Sequence, residues 1–324
     1  MDRLITAIVV IVGVPAATVL YVAAIEWLLV RLPYKSRTRL RPWLWVAPAL
    51  LLLIFFLIYP TINTIILSFK NANSSQYVGL QNYIFAFTNS DMLDAFKNNL
   101  LWLVFFTLLT VSFGLLFALL ADRVRYESVV KALIFLPMAI SYVAAGVIWK
   151  LMYEFKPPGR PQIGTLDAVL TSVIPSFQPQ AWLINTHVNN YALIVIGIWM
   201  WTGFCMVILS AGLKSIPEDL MEAARVDGAN EWQILRHITL PMLASTIAVV
   251  TTTMIINVLK IFDIVYVMTN GNYDTEVIAN RMYKEMFNFQ NFGRASAIAV
   301  ILLFAIIPVM LYNIRSFQEQ EALR

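Results

Sequence analysis

Apolar and polar positions along this chain alternate in blocks far longer than a strand or an amphipathic helix needs. Seven stretches free of Asp, Glu, Lys and Arg cover residues 4–25, 42–69, 98–121, 132–149, 168–213, 237–259 and 295–314. A hydrocarbon core of about 30 Å takes roughly 20 residues of helix, so each stretch predicts one membrane span. The 168–213 stretch holds a single span. Its first part, TSVIPSFQPQAWLINTHVNN, carries Pro175, Pro179, an Asn cluster and His187, which suits a folded loop. The helix proper is expected over 191–213. The predicted fold is an all-α polytopic membrane protein with seven transmembrane helices.

Composition agrees: 60% of residues are hydrophobic and 13% charged, against about 45–50% and 25% in soluble domains. That excludes a water-soluble enzyme. The 23 basic residues exceed the 19 acidic ones by four, an excess that in a membrane chain reports loop location and calls for no nucleic-acid partner. Thirteen of the 23 fall in four short segments, 31–41, 122–131, 214–240 and 315–324, with RLPYKSRTRLR the densest. The positive-inside rule makes these segments cytoplasmic, with the N-terminus outside and the C-terminus inside. The first span has a second reading as a cleaved secretory signal. Against it, Asp2 cancels Arg3 and the basic cluster follows the apolar run. Glu26 and the pair Lys260 and Asp263 sit at span ends. Glu26 reads as snorkelling, and Lys260 with Asp263 either as a snorkelling ion pair or as guards of an outer gate.

No chemistry-bearing cluster appears. Cys205 is the only cysteine, and His187 and His237 have no partners at metal-ligand spacing. Catalytic signatures such as HExxH and GxSxG are absent, and no metal is expected. Gly159 and Gly164 have the spacing of a phosphate loop but precede Thr165 rather than Lys. ATP would therefore be handled by another polypeptide. The outer loops, 67–97, 150–190 and 260–294, carry Phe155, Pro157, Pro158, Gly159, Phe287, Phe289 and Phe292 but no periodic core of their own. They read as caps on the bundle or as a docking surface for an external partner.

Segment 214–241, KSIPEDLMEAARVDGANEWQILRHITLP, predicts two short helices outside the hydrocarbon. Ser215 with Glu218 has the form of a capping box that would start the first, and Gly228 would end it. Leu220, Ala223 and Ala224 share one narrow face of mostly small side chains, a surface that lets another backbone come close. Asn230 and Gln233 would open the second helix, and Pro241 stands before the next span. On composition alone the segment is a solvated connector or a docking plug.

Its spacing decides between them. Glu222-Ala223-Ala224, three residues, Gly228, nine residues, Ile238, one residue, Leu240-Pro241 resembles the coupling motif of ATP-binding-cassette importer permeases. The resemblance covers nearly the whole chain. LIFLPMAIS from Leu133, FKPPGRPQIG from Phe155 and KIFDIVYVMTNGNYDTEVIANRMYKEMF from Lys260 are similar to carbohydrate permeases of the maltose type, and within them to the α-glucoside subgroup. One departure stands out: the Thr-Gly-Gly-Pro-like turn of the wider family is here Thr269-Asn270-Gly271-Asn272.

The resemblance implies a six-helix permease core over 42–324, preceded by an extra helix and basic loop over 1–41. It implies a non-catalytic subunit of the bacterial cytoplasmic (inner) membrane that binds no cofactor itself. Expected partners are a second homologous permease, two copies of an ATP-binding subunit carrying ATP and Mg, an extracytoplasmic sugar-binding protein, the sugar and the lipid bilayer. The coupling motif would comprise Glu222, Ala223, Ala224, Asp227, Gly228, Ile238, Leu240 and Pro241. The substrate class would be α-glucosides or related sugars: trehalose, sucrose, maltose or glucosylglycerol. In such permeases the sugar site lies between the spans that flank the coupling loop. By position these offer Trp199, Trp201, Thr202 and Phe204 before it, and Thr253 and Asn257 after it. Packing is the competing role for the tryptophans, and bonding to the preceding turn for the threonines. An ATP-independent secondary transporter or channel is the alternative, and it predicts charged residues at mid-depth, which the spans lack.

Overall fold

The structure, a computed structural model, describes residues 2–322, with side chains left undescribed at 2–5, 7–10, 14 and 314–322. Arg315 and Arg324, counted above among the cytoplasmic basic residues, lie outside the described side chains. The described part is helical, and its one β feature is an isolated bridge between Lys70 and Tyr77. Thirteen helices follow in order: α1 Asp2–Val30, α2 Tyr34–Leu67, α3 Gln81–Thr88, α4 Ser90–Ala121, α5 Glu127–Ala139, α6 Tyr142–Met152, α7 Thr165–Val173, α8 Asn189–Lys214, α9 Glu218–Val226, α10 Glu231–Leu259, α11 Asp263–Met268, α12 Ile278–Tyr283 and α13 Phe292–Ala322. Among the described residues six helices are long and apolar enough to cross a membrane, or seven if the bent pair α5 and α6 forms one span.

That pair corrects one sequence expectation. The stretch 132–149 is not a straight helix: α5 and α6 meet at 99°. Pro137 sits in a closing 3₁₀ turn, Leu136–Ala139, and removes a backbone donor there. Ile140 and Ser141 are extended, and Ser141 Oγ then accepts from Ala144 N at 3.2 Å to start α6. The end of α5 presses on α8 so closely that a Cβ on Gly203 would lie 2.5 Å from Ile134 O.

Contacts divide the chain into residues 1–64 and 65–324. In the first unit, α1 and the start of α2 form a hairpin turning at Pro33. Glu26 Oε1 accepts from Arg41 Nε at 2.7 Å and from Trp45 Nε1 at 2.9 Å, and Glu26 also pairs with Arg37. The carboxylate is thus neutralised within the hairpin, more than simple snorkelling requires. Arg31 stacks over Trp27 at 3.6 Å.

The second unit is organised around α8, whose apolar window is 67% buried, more than that of any other span. Its Leu193, Ile196, Met200, Cys205, Met206 and Leu209 pack with Trp102 and Phe106 of α4 and Val250, Met254 and Val258 of α10. A smaller cluster joins α3, α4, α12 and α13 through Ala86, Met92, Ile278 and Ile298. Four asparagines at the N-terminal ends of α4 and α8 hold the segment after α10. Asn98 Nδ2 donates to Asp274 O and Glu276 O, both at 2.8 Å, and Asn189 Nδ2 to Tyr273 O at 2.6 Å. Asn190 Nδ2 donates to Asp274 O at 3.1 Å, and Asn99 Oδ1 accepts from Ile278 N at 2.8 Å. Segment 260–294 therefore does more than the loop expected from its lack of periodicity. It buries Val265, Val277 and Ile278, and it encloses ion pairs of Arg281 with Glu285 at 2.8 Å and of Lys284 with Glu276 at 2.7 Å.

Candidate functional site

Two regions gather the residues singled out from the sequence: the exposed segment around α9 and a polar cavity at the far end of α10. The helix α9 buries none of its residues, and Val226 is 86% exposed. A helix without packing needs its ends fixed. The expected capping box at its start is absent: Pro217 is the N-cap, and Ser215 Oγ instead donates to Gly212 O at 2.7 Å. Pro217 has φ −58° and ψ 128°, so the helix starts at Glu218 and Ser215 stands two positions ahead of the cap; the proline also disfavours a helical Ile216. The C-terminal end is as expected. Gly228 has φ 84°, its N–H bonds Arg225 O at 3.1 Å, and Ala229 N–H bonds Ala224 O at 2.9 Å. These two bonds make a Schellman closure, which needs a left-handed residue.

The next helix opens on a reciprocal box. Asn230 Oδ1 accepts from Gln233 N at 2.9 Å, and Gln233 Oε1 from Asn230 N at 2.8 Å. From Glu231 the helix continues to Leu259 without a break, since a π turn, Leu235–Thr239, absorbs the missing donor of Pro241. Ile238, Leu240 and Pro241 thus belong to the same rigid helix as Asn257. Glu222, Ala223, Asp227, Gly228 and Pro241 are exposed, while Ala224, Ile238 and Leu240 are half-buried. A cleft of about 360 Å³ lies at the foot, lined by Asp227, Gly228, Ala229, Gln233, Ile234, His237 and Ile238.

Charge fixes this segment to the corner between α4 and α5. Glu231 places one carboxylate oxygen 3.0 Å from Arg225 Nε and the other 3.1 Å from Arg123. The hydrogen bond from Arg225 first, and then the charge of Arg123, hold its carboxyl below the ordinary carboxylate range. Behind the corner, Lys131 meets Asp122 at 2.7 Å and contacts Glu127 and Ser210, and Lys214 meets Glu127 at 2.5 Å. The ends of α4, α5 and α8 are therefore joined by one ionic cluster.

The cavity, about 220 Å³, is lined by Phe106, Tyr142, Trp201, Asn257, Val258, Lys260, Ile261, Phe262, Asp263 and Ile264. Two of the six expected sugar-path residues, Trp201 and Asn257, line it. Trp201 Nε1 donates to Tyr142 Oη at 3.2 Å. The other four are placed otherwise. Trp199 packs edge-on to Trp149 at 5.7 Å, and Phe204 edge-on to Trp201 at 5.8 Å. Thr202 Oγ1 donates to Ile198 O at 2.6 Å, and Thr253 Oγ1 to Val249 O at 2.9 Å. Their hydroxyls bond the preceding turn. No ion pair joins Lys260 and Asp263 among the described residues; both line the cavity, one donor and one acceptor group. Sequence reasoning missed Tyr142 and Phe106, which come to the cavity only through the bend after Pro137 and the packing of α4.

The arrangement has an exposed small-residue helix at one end of a continuous span and a polar, aromatic cavity at the other. It defines a helical membrane protein with a cavity among its spans and an exposed segment at the opposite end of one of them. Residues 110–320 match the family of binding-protein-dependent transport system inner membrane components, and the chain belongs to that family. It is 60% identical over 281 residues to the osmoprotective compounds uptake permease protein GgtC of Synechocystis sp., covering 87% of this chain and all of that one. It is 46% identical over 278 residues to the alpha-glucoside transport system permease protein AglF of Rhizobium meliloti, covering 86% and 82%. The fold matches, with a TM-score of 0.74 and 24% identity over 88% of this chain and 98% of the other, a chain of a bacterial ABC transporter that imports the acidic polysaccharide alginate. This protein is thus a multi-pass permease subunit of an ABC importer, a class in which ATP hydrolysis resides on a separate subunit.

Proposed function

We propose that this chain forms half of the translocation path of an ATP-driven, binding-protein-dependent importer of α-glucosides or related compounds such as glucosylglycerol. A second, homologous permease would complete the path. Two ATP-binding subunits, with their ATP and Mg, would dock on α9 from the cytoplasm, and an extracytoplasmic sugar-binding protein would deliver substrate. The observation that carries the reading is mechanical: the exposed Glu222, Ala223 and Gly228 surface is closed by two caps and joined, through one unbroken helix, to Asn257 in the cavity. Closure of the ATP-binding subunits would move α9, and α10 would carry that motion to the cavity as a rigid tilt, favouring whichever state each partner binds better. The names of the relatives support the substrate class, one an osmoprotectant permease and one an alpha-glucoside permease. A polyol suits the cavity, where Trp201 offers a flat face and Asn257, Lys260 and Asp263 offer hydrogen-bonding groups. We assign α1 with its basic loop, 1–41, as an addition to the permease domain 42–324, the N-terminus outside and the C-terminus cytoplasmic.

The test is ATPase activity of the complete importer in lipid, with its partner permease, ATP-binding subunit and binding protein, against trehalose, sucrose, maltose and glucosylglycerol. Stimulation by one of these that depends on the binding protein is the expected result. A complex that assembles and is stimulated by none would remove the substrate class, and a chain that copurifies no ATP-binding subunit would remove the coupling role.

A further inference from the structure

Beside the cavity, the segment after α10 builds one contiguous patch from four aromatic rings. Phe262 and Tyr266 stack with centroids 5.0 Å apart, and Tyr283 meets both, at 5.3 Å and 5.2 Å. Phe287, one turn further on, lies 4.8 Å from Tyr283. None of the four is buried: Phe262 and Tyr283 are half-buried, Tyr266 is 39% exposed and Phe287 60% exposed. Rings that only stabilise a cap would be turned into it, and rings of a membrane-interface belt are spread around a bundle. Here they adjoin one another and end at Phe262, which itself lines the cavity.

The size of that cavity sets a second condition. At about 220 Å³ it exceeds the roughly 150 Å³ that takes a benzene-sized ring, so it holds one substituted six-membered ring and not two. A disaccharide or a glucosyl-polyol bound there must rest its remainder elsewhere. We infer that the Phe262–Tyr266–Tyr283–Phe287 patch is an outer sugar subsite, which takes one ring of an α-glucoside while the other occupies the cavity. The inference rests on the importer reading above. The C–H face of a glucopyranose is polarised positive by its hydroxyls and is attracted to the negative face of an aromatic ring. The phenols of Tyr266 and Tyr283 offer hydroxyl partners at the patch, and Lys260 and Asp263 flank its inner end. From Phe287 through Tyr283 to Phe262 the adjacent ring centroids lie 4.8 Å and 5.3 Å apart, so a sugar moving along the patch passes from one aromatic ring directly to the next.

Cys205 is the chain's single cysteine and is fully buried, which gives Phe287→Cys the one accessible thiol of this subunit. In cells carrying the importer with a partner permease freed of accessible cysteines, a membrane-impermeant maleimide added outside should label Phe287→Cys. Glucosylglycerol or trehalose in excess should slow the labelling, and an equal concentration of sorbitol should not. In the reconstituted importer, Tyr266→Leu and Phe287→Leu should lower uptake at sub-saturating sugar by roughly three- to tenfold, while Tyr266→Phe, which keeps the ring, stays near the unsubstituted protein. Absence of labelling, meaning that the patch faces lipid or the partner permease, overturns the subsite. So does labelling indifferent to sugar, or uptake by both Leu variants equal to that of the unsubstituted importer. An unsubstituted importer with no sugar-stimulated ATPase would instead remove the functional reading beneath it.

Discussion

Substitutions at Gly228 separate backbone strain from bulk at the point where α9 joins α10. The residue has φ 84°, and a Cβ built on it meets nothing within 4 Å. A side chain therefore costs no clash there, and the whole penalty is the left-handed backbone, about 1–2 kcal/mol for an ordinary L-residue. Such an energy shifts the balance between the native turn and its competitors by roughly five- to thirtyfold. Asparagine tolerates the left-handed region and escapes most of that cost, alanine bears it, and β-branched valine bears more. Because the turn lies outside the apolar spans, all three variants should insert and assemble. Sugar-stimulated ATPase and uptake in proteoliposomes should then fall in the order Gly228→Asn, Gly228→Ala, Gly228→Val. Glu222→Lys is the control, since it alters the exposed face without touching the turn, and it should uncouple hydrolysis from uptake at unchanged membrane levels. Equal activity in the three Gly228 variants would refute the claim that the Schellman closure sets the coupling geometry.

Two further outcomes follow from the packing. Asn98→Ala removes the donor that Glu276 O has at 2.8 Å, while Asp274 O keeps Asn190 Nδ2 at 3.1 Å; at about 1–3 kcal/mol for one buried group left unpaired, the detergent-solubilised protein should melt a few degrees lower by scanning fluorimetry. Gly203→Val drives a Cβ to 2.5 Å from Ile134 O and 2.6 Å from Phe135 Cα, both backbone atoms with little freedom to move, so a loss of about 1–3 kcal/mol should appear as poor recovery of monodisperse protein by size-exclusion chromatography.

The long apolar stretches settled the helical membrane class of this protein, because the bilayer imposes a length on every span and a composition on every stretch. The local structure of segment 214–241 was legible in part. Its glycine closure and the Asn230–Gln233 box are local structures, whose hydrogen bonds join residues no more than five positions apart. The box at Ser215 failed for an equally local reason, the proline two residues on. What the linear pattern could not contain was any contact made by distant residues. The bend after Pro137 needed the face of α8 at Gly203 to receive it. The asparagines of α4 and α8 found their backbone partners 84 to 179 positions away. Of the six residues chosen by position on α8 and α10, only Trp201 and Asn257 reached the cavity, since rotation about each helix axis decides which face turns inward. Tyr142, Phe106 and the aromatic patch came to the same place from four separate segments. Hydrophobic length fixes how many segments can cross, whereas helix rotation and the bend, which only close packing determines, fix what the crossing helices present to the cavity.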